Sequence, residues 1–175
     1  MKIFQSIAGI IVIVALIFSC SKESTSPSQT NGVNLAGASG SNKSWMLTAV
    51  TYTVNGGLAQ SLTLSACVLD NVYKFSNNPT QDFVQTDGAV KCQTADSTVT
   101  ESGNWAFTND GKNLVVEGEW FDDLSQETDF QYLFTALGEP STVVQLTATA
   151  LTVSYSFTSS SSGNKYVVTA IFAKV

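Results

Sequence analysis

The sequence predicts an all-β domain, an antiparallel barrel or sandwich of about eight strands. Three observations support this fold class. From Trp45 onward apolar side chains recur with a period of two. Turn-forming residues interrupt these runs every 8 to 12 residues or so, and no window of about twelve residues has a convincing helical period.

The first half of the domain contains three β-branched and aromatic runs, each followed by turn-forming residues. The first, Trp45–Val54, stops at Asn55-Gly56-Gly57, which is a strong turn signal. Two shorter runs, Val72–Phe75 and Asp82–Gln85, are the next predicted strands.

A β-hairpin is predicted next. Its arms are Asn104–Thr108 and Asn113–Trp120, joined by a four-residue loop. Alternation along the second arm indicates that one face packs in the core and the other faces water. The apolar face has Leu114, Val116 and Trp120, and the acidic residues between them are Glu117 and Glu119.

The second half of the domain has the same alternation of apolar and polar residues. Phe130, Tyr132 and Phe134 share one face of another predicted strand. The residues from Val143 to Phe157 form either one long bent strand or two strands, and their pattern leaves both alternatives open. A loop from Ser159 to Asn164 and a final strand from Lys165 to Lys174 complete the domain.

The N-terminus has the pattern of an export signal. Met1-Lys2 is basic, Ile3–Phe18 is largely apolar, and Ser19-Cys20 follows. This ending resembles a bacterial lipobox, so we expect residues 1–19 to be removed and Cys20 to carry palmitate and other lipid. A plain signal peptide or a membrane helix is the alternative, but the apolar run is shorter than the roughly 20 residues a span needs.

The residues from Ser21 to Ser44 are mostly small and polar. Such a composition predicts a flexible tether with a mean reach of about 25 to 30 Å. The expected organisation is therefore a signal peptide (1–19), a lipidated cysteine with its tether (20–44) and a β-domain (45–175).

Composition excludes several function classes. The net charge of −6 and the pI near 4.4 argue against nucleic-acid binding and against electrostatic docking on anionic lipid. The chain contains no histidine, the commonest general base and transition-metal ligand. We therefore expect no enzyme activity, no cofactor and no metal, and a monomer held to the membrane only by its lipid.

Two cysteines remain once Cys20 is lipidated. Cys67 and Cys92 form an even pair in an exported chain, so a disulfide is expected between them. Two free thiols are the alternative. A metal site is less well supported, because two cysteines without histidine are half of a ligand set.

Acidic residues crowd a short segment. A Ca²⁺ site or a paired-carboxylate hydrolase could be built from such a set, but a solvated strand edge and loop explain it more simply. The residues are Glu117, Glu119, Asp122, Asp123, Glu127 and Asp129.

Four spaced motifs resemble the lipocalin-like domain of many Bacteroidetes lipoproteins. They are Trp45-Met46-Leu47, Cys67-Val68-Leu69-Asp70-Asn71-Val72-Tyr73-Lys74-Phe75, Asp87-Gly88 with Lys91-Cys92, and Gly103-Asn104-Trp105. The resemblance implies an up-and-down β-barrel with a lipid anchor at the outer membrane, and implies no catalytic residues. This chain has Asn71 where the family usually has Asp, and 120–128 looks like an insertion.

Aromatic side chains on the strand faces are the candidate ligand site. An eight-stranded barrel is wide enough either to hold one small ligand or to be filled by its own side chains. The leading hypothesis is the binding of a small apolar molecule. The alternative is a filled barrel that contacts an envelope protein or glycan through outer loops such as Asp122–Glu127. The candidate ligand-binding residues are Trp45, Tyr73, Phe75, Trp105, Phe107, Tyr132, Phe134, Tyr155 and Phe157.

Overall fold

The computed structural model describes residues 25–92, 94, 98–120, 134 and 140–175. These residues form nine strands and two helices. In chain order they are α1 (Pro27–Ala36), β1 (Asn42–Val54), β2 (Gln60–Leu62), α2 (Ala66–Leu69), β3 (Val72–Ser76), β4 (Asp82–Thr86), β5 (Val99–Thr108), β6 (Asn113–Trp120), β7 (Ser141–Leu146), β8 (Ala150–Thr158) and β9 (Lys165–Lys174).

The strands form one closed antiparallel barrel. The sheet order is β2-β1-β3-β4-β5-β6-β7-β8-β9, and β1 also pairs with β9, which closes the cylinder. Eight strands complete the barrel, and β2 is an extra strand on the free part of β1. The predicted all-β barrel of about eight strands is confirmed.

The long strand β1 makes this closure possible. Its first residues, Asn42–Met46, pair with β3, and Val50–Tyr52 pair with β2. Its other edge pairs with β9 from Trp45 to Val54, with a register shift between Leu47 and Ala49. Because β1 outreaches β3, the barrel wall formed by β1, β8 and β9 extends beyond the other strands at one end.

Most of the predicted strands appear where the sequence placed them. The residues after Ser141 form two strands, β7 and β8, because Thr147 turns the chain between them. Its side-chain oxygen accepts hydrogen bonds from the backbone N–H groups of Thr149 and Ala150, at 3.3 and 3.0 Å. Of the strand predicted around Phe134, the described part is that residue alone, which is buried.

The segment expected to be a flexible tether is partly helical, so that expectation is wrong from Pro27 onward. Ser26 and Gln29 form a capping box, in which each side chain bonds the other residue's backbone N–H. Pro27 occupies the first turn, where its missing N–H costs nothing. Leu35 at the end of α1 is fully buried, and that burial stabilises a helix too short to persist alone.

Helix α1 covers one end of the barrel, where β1 begins and β3 ends. The indole N–H of Trp45 donates to the Leu35 carbonyl at 2.9 Å, and the Asn77 amide donates to the Gly37 carbonyl at 2.7 Å. The Lys43 ammonium bonds the Asn34 carbonyl at 2.7 Å. We call this the helix end of the barrel, and the opposite end, where β1 finishes and β9 begins, the rim.

A disulfide joins Cys67 and Cys92, with an S–S distance of 2.02 Å, as the sequence predicted. It connects α2, just before β3, to the chain that follows β4. Both elements lie at the rim. Within the ranges described above, neither helix is long and apolar enough to cross a membrane.

The packing of α1 predicts different effects for two neighbouring apolar residues. Leu35→Ala should lower the free energy of unfolding by about 2 to 5 kcal/mol, because it leaves a cavity under the helix. Val33→Ala is the matched control on the same helix. Val33 is 48% exposed, so its loss should change stability by less than about 0.5 kcal/mol. Equal midpoints in urea for the two variants would show that α1 is not packed on the barrel.

Candidate functional site

The centre of the barrel is filled by aromatic rings. Phe75 lies 5.1 Å from Phe83 and 5.7 Å from Phe134, measured between ring centroids. Tyr73 lies 5.3 Å from Phe172, and Phe134 lies 5.3 Å from the same ring. All five side chains are buried. Edge-to-face and stacked contacts at these distances pack the interior as a solid core.

Two tryptophans fix the helix end of this core. Trp105 donates its indole N–H to the Ser76 carbonyl at 3.0 Å, and its ring lies 6.3 Å from Phe75. Trp45 bonds the helix α1, as described above. A buried indole with its N–H satisfied is a structural anchor.

The predicted ligand-binding residues therefore separate into groups. Trp45, Tyr73, Phe75, Trp105 and Phe134 are buried in the aromatic core, and half-buried Phe107 packs on Trp105 at 5.7 Å. Tyr132 lies outside the described residues. Tyr155 and Phe157 lie elsewhere, on the rim side of β8, where Phe157 lines an open groove and Tyr155 stacks beside Phe157.

This rim groove has a volume of about 350 Å³ and is built on the extended wall of the barrel. The register places Val54 opposite Tyr166, Tyr166 opposite Phe157, and Tyr52 opposite Val168, so these side chains share one face of β1, β9 and β8. Strand β2 closes one side. The lining residues are Tyr52, Val54, Gln60, Leu62, Phe157, Tyr166 and Val168.

Stacked rings give the groove a flat aromatic wall. Phe157 and Tyr166 stack with their centroids 5.1 Å apart and their planes 10° apart. Tyr155 continues the stack, 6.5 Å from Phe157. The hydroxyl of Tyr52 donates to the Gln60 side-chain oxygen at 2.8 Å, which places one polar group at the edge. Phe157 remains 38% exposed, so part of this wall is open to solvent.

Sequence reasoning missed Tyr52 and Tyr166. Each lies close to the end of a strand, on the same face as an inward residue, Val50 in β1 and Val168 in β9. The period-two pattern therefore contained a signal for both. What the pattern lacked was the pairing of the first strand with the last, which places the two rings side by side, 6.5 Å apart.

A second feature of the interior is a row of buried polar residues on the opposite wall. Tyr73 in β3 pairs with Gln85 in β4, which pairs with Glu101 in β5. All three are fully buried. Gly118 in β6 makes room for Glu101, because a Cβ there would lie 2.8 Å from the carboxylate Oε1. The barrel interior is thus polar on the side formed by β3, β4 and β5.

The Tyr73 hydroxyl of this row and the neighbouring Asn71 side chain lack a hydrogen-bond partner among the described residues. The side-chain amide of Asn71 and the hydroxyl of Tyr73 are both fully buried. Leaving such a group unpaired costs about 1 to 3 kcal/mol, and an ordered water molecule is the usual remedy. These two groups therefore carry a cost in stability that the packing of the surrounding core offsets.

Burial also changes the acidity of two tyrosines. Desolvation raises the pKa of Tyr73, and the nearby Glu101 carboxylate adds to this, while the approach of Asn71 opposes it. Desolvation raises the pKa of Tyr155 to about 12. Both phenols therefore remain neutral through the physiological range.

The acidic segment and the hollow beside α1 are less well suited to binding a metal ion or a ligand. Glu117 and Glu119 are exposed on β6, and the remaining members of the acidic segment lie outside the described residues. In the described part of the chain, no group of three His, Cys, Asp or Glu side chains could hold a metal ion. A hollow of about 490 Å³ beside α1 is lined by uncharged, mainly polar residues such as Ser28 and Gln29.

Comparison with known proteins assigns no function to the barrel, so a functional proposal depends on the geometry described above. No protein-family model matches the chain, and no curated protein matches it.

The raised tyrosine pKa values predict alkaline destabilisation. In the unfolded chain these phenols ionise near pH 10, whereas the folded state keeps them protonated, so stability is lost as the pH rises above about 10. Tyr73→Phe should leave stability at pH 7 within about 1 kcal/mol of wild type, because its hydroxyl is unpaired. It should also reduce the loss between pH 9 and 11, measured by urea unfolding. Tyr52→Phe, at a half-buried site, is the control, and an unchanged alkaline slope for Tyr73→Phe would contradict the prediction.

Proposed function

We propose that this protein is a cell-envelope lipoprotein, anchored at the outer membrane through lipid on Cys20, whose barrel binds a small apolar molecule. The export signal and the lipobox-like sequence before Cys20 support the anchor. The resemblance of the Trp45, Cys67–Phe75 and Trp105 motifs to lipocalin-like lipoproteins supports the role. The closed eight-stranded barrel is consistent with that resemblance.

The single observation that carries the ligand hypothesis is the rim groove. Aromatic side chains usually bury their faces, yet here Phe157 and Tyr166 stack beside an open volume of about 350 Å³. That volume is in the range of small-molecule pockets, roughly 300 to 1,000 Å³. The rings of the core already contact one another and leave no room for a ligand between them. The rim is therefore the better place for a ligand.

The chemistry of the groove suggests the class of ligand. The lining residues carry no charged side chain, and their polar groups are the Tyr52 and Tyr166 hydroxyls and the Gln60 amide. Flat rings favour a planar apolar partner, which can stack on them, and the amide offers one hydrogen bond. A planar, largely apolar molecule with one polar group at its edge fits these properties best.

This proposal predicts that two substitutions in the groove weaken binding. The probe is N-phenyl-1-naphthylamine, an uncharged aromatic amine whose fluorescence rises in apolar surroundings. Tyr166→Ala and Phe157→Ala should each raise its dissociation constant about 5- to 30-fold, since each removes an aromatic contact worth about 1 to 2 kcal/mol.

The matched control is Ile171→Ala. Ile171 lies on the same strand as Tyr166 but faces outward and is 36% exposed, so its loss should change the dissociation constant by less than about twofold. Equal weakening by all three variants would remove the groove as the site. Saturable binding that all three leave unchanged would move the site elsewhere.

A second candidate is a filled barrel that acts as an interaction module for an envelope protein or glycan. The observation in its favour is the aromatic core around Phe75 and Phe134, which occupies the centre of the barrel. Native mass spectrometry of protein from an exporting host separates the two. An excess mass that is lost on denaturation supports the ligand carrier, whereas a bare mass together with no probe binding supports the interaction module.

The anchor itself makes a separate prediction. Cys20→Ala should abolish incorporation of labelled palmitate and release the protein from membranes, because the thiol that receives the lipid is absent. Cys67→Ser is the control, and should keep its label while losing the disulfide. Persistent labelling of the Cys20→Ala protein would refute the anchor.

A further inference from the structure

The position of α1 determines which end of the barrel lies nearer to the lipid. We propose that the helix end faces an anionic lipid bilayer and that the rim groove opens away from it. This inference rests on the lipid anchor at Cys20 proposed above. It assigns an interaction surface to the face formed by α1 and the strand ends beside it.

The first argument is the length of the connection. Only six residues, 21–26, separate Cys20 from the first residue of α1. Even fully extended, this connection spans no more than about 25 Å. A flexible segment continuing to Ser44 would have allowed the barrel to turn freely. The packed helix removes that freedom.

The second argument is the height of the barrel. Strand β1 runs from the helix end at Asn42 to the rim at Val54, a length of 13 residues. At about 3.3 Å per residue this is roughly 40 Å along the strand, or about 30 Å along the axis of a barrel with the usual tilt. An inverted barrel would hold α1 farther from the bilayer than the connection reaches. The length of the connection therefore favours contact through the helix end over contact through the rim.

The third argument is the distribution of charge. Three lysines, Lys43, Lys112 and Lys174, lie at the helix end. Burial lowers the pKa of Lys43, and the nearby positive charge of Lys174 lowers it further. Among the described residues, the acidic groups at this end are Asp82, which has Lys74 beside it, Asp110, and Glu117, whose partner Asn104 pairs with Asp82.

The rim half has the opposite balance. Among the described residues of this half, the bases are Lys91 and Lys165, and the acids outside the barrel interior are Asp70, Glu119 and the largely buried Asp87. An anionic surface attracts the helix end and repels the rim. The net charge of −6 disfavours docking by charge alone, so the lipid holds the protein and the charge asymmetry orients it.

This orientation has a consequence for the proposed ligand. The groove lined by Tyr52, Phe157 and Tyr166 faces the aqueous side and is farthest from the bilayer. Ligand would therefore enter and leave from solution or from a partner on that side, and not directly from the membrane to which the protein is attached.

The test uses the full protein, lipidated in a bacterial host and reconstituted into nanodiscs containing phosphatidylglycerol and a gadolinium-chelating lipid. Paramagnetic broadening of backbone amide signals reports distance from the lipid surface. Amides of α1 and of the turn at Lys112 should lose at least twice as much intensity as those of Tyr52 and Tyr166. Inserting twelve Gly and Ser residues after Ser24 should reduce this difference.

Charge variants supply the matched control. Lys112→Glu with Lys174→Glu should weaken the gradient of broadening, whereas Lys165→Glu at the rim should leave it unchanged. Broadening that is uniform, or strongest at the rim, in protein that remains in the nanodisc would overturn the orientation and leave the anchor intact. Protein that fails to enter nanodiscs would overturn the anchor, and the orientation with it.

Discussion

The pairing of β1 with β9 is the constraint on which the rest of the structure depends. It joins the first barrel strand to the last and closes the sheet into a cylinder. Closure brings Phe172 of β9 against Tyr73 of β3, far apart in the sequence. The aromatic core and the rim groove both follow from this single register.

The same closure explains why the interior and the rim differ. Inward residues at mid-height meet other rings across a narrow barrel, so Phe75, Phe83 and Phe134 fill it. Beyond the start of β3 at Val72, the wall of β1, β8 and β9 continues with fewer opposing strands. Inward-facing rings there, such as Phe157 and Tyr166, meet open space on one side. Uneven strand length thus converts part of a core face into a binding surface.

Helix α1 links the barrel to its proposed anchor. It satisfies the indole of Trp45, bonds Lys43 and buries Leu35, so its position is tied to the start of β1. The polar composition of this segment reflects the exposed side of a short helix. Its few apolar residues suffice because the barrel provides the surface against which they pack.

The sequence by itself determined the period-two strands, most of their turns, the disulfide partners and the all-β antiparallel class, while its strand pattern left barrel and sandwich open. These depend on neighbouring residues: side chains that alternate between core and water, and Asn55-Gly56, whose positive φ angles of 51° and 74° suit a tight turn. The Ser26–Gln29 capping box is also a local sequence signal for a helix, although the polar composition of the surrounding segment predicted a flexible tether. Only the tertiary structure decided which inward rings fill the core and which line the rim groove, and that α1 closes one end. Those outcomes depend on contacts between distant strands, whose register and relative length no local pattern specifies.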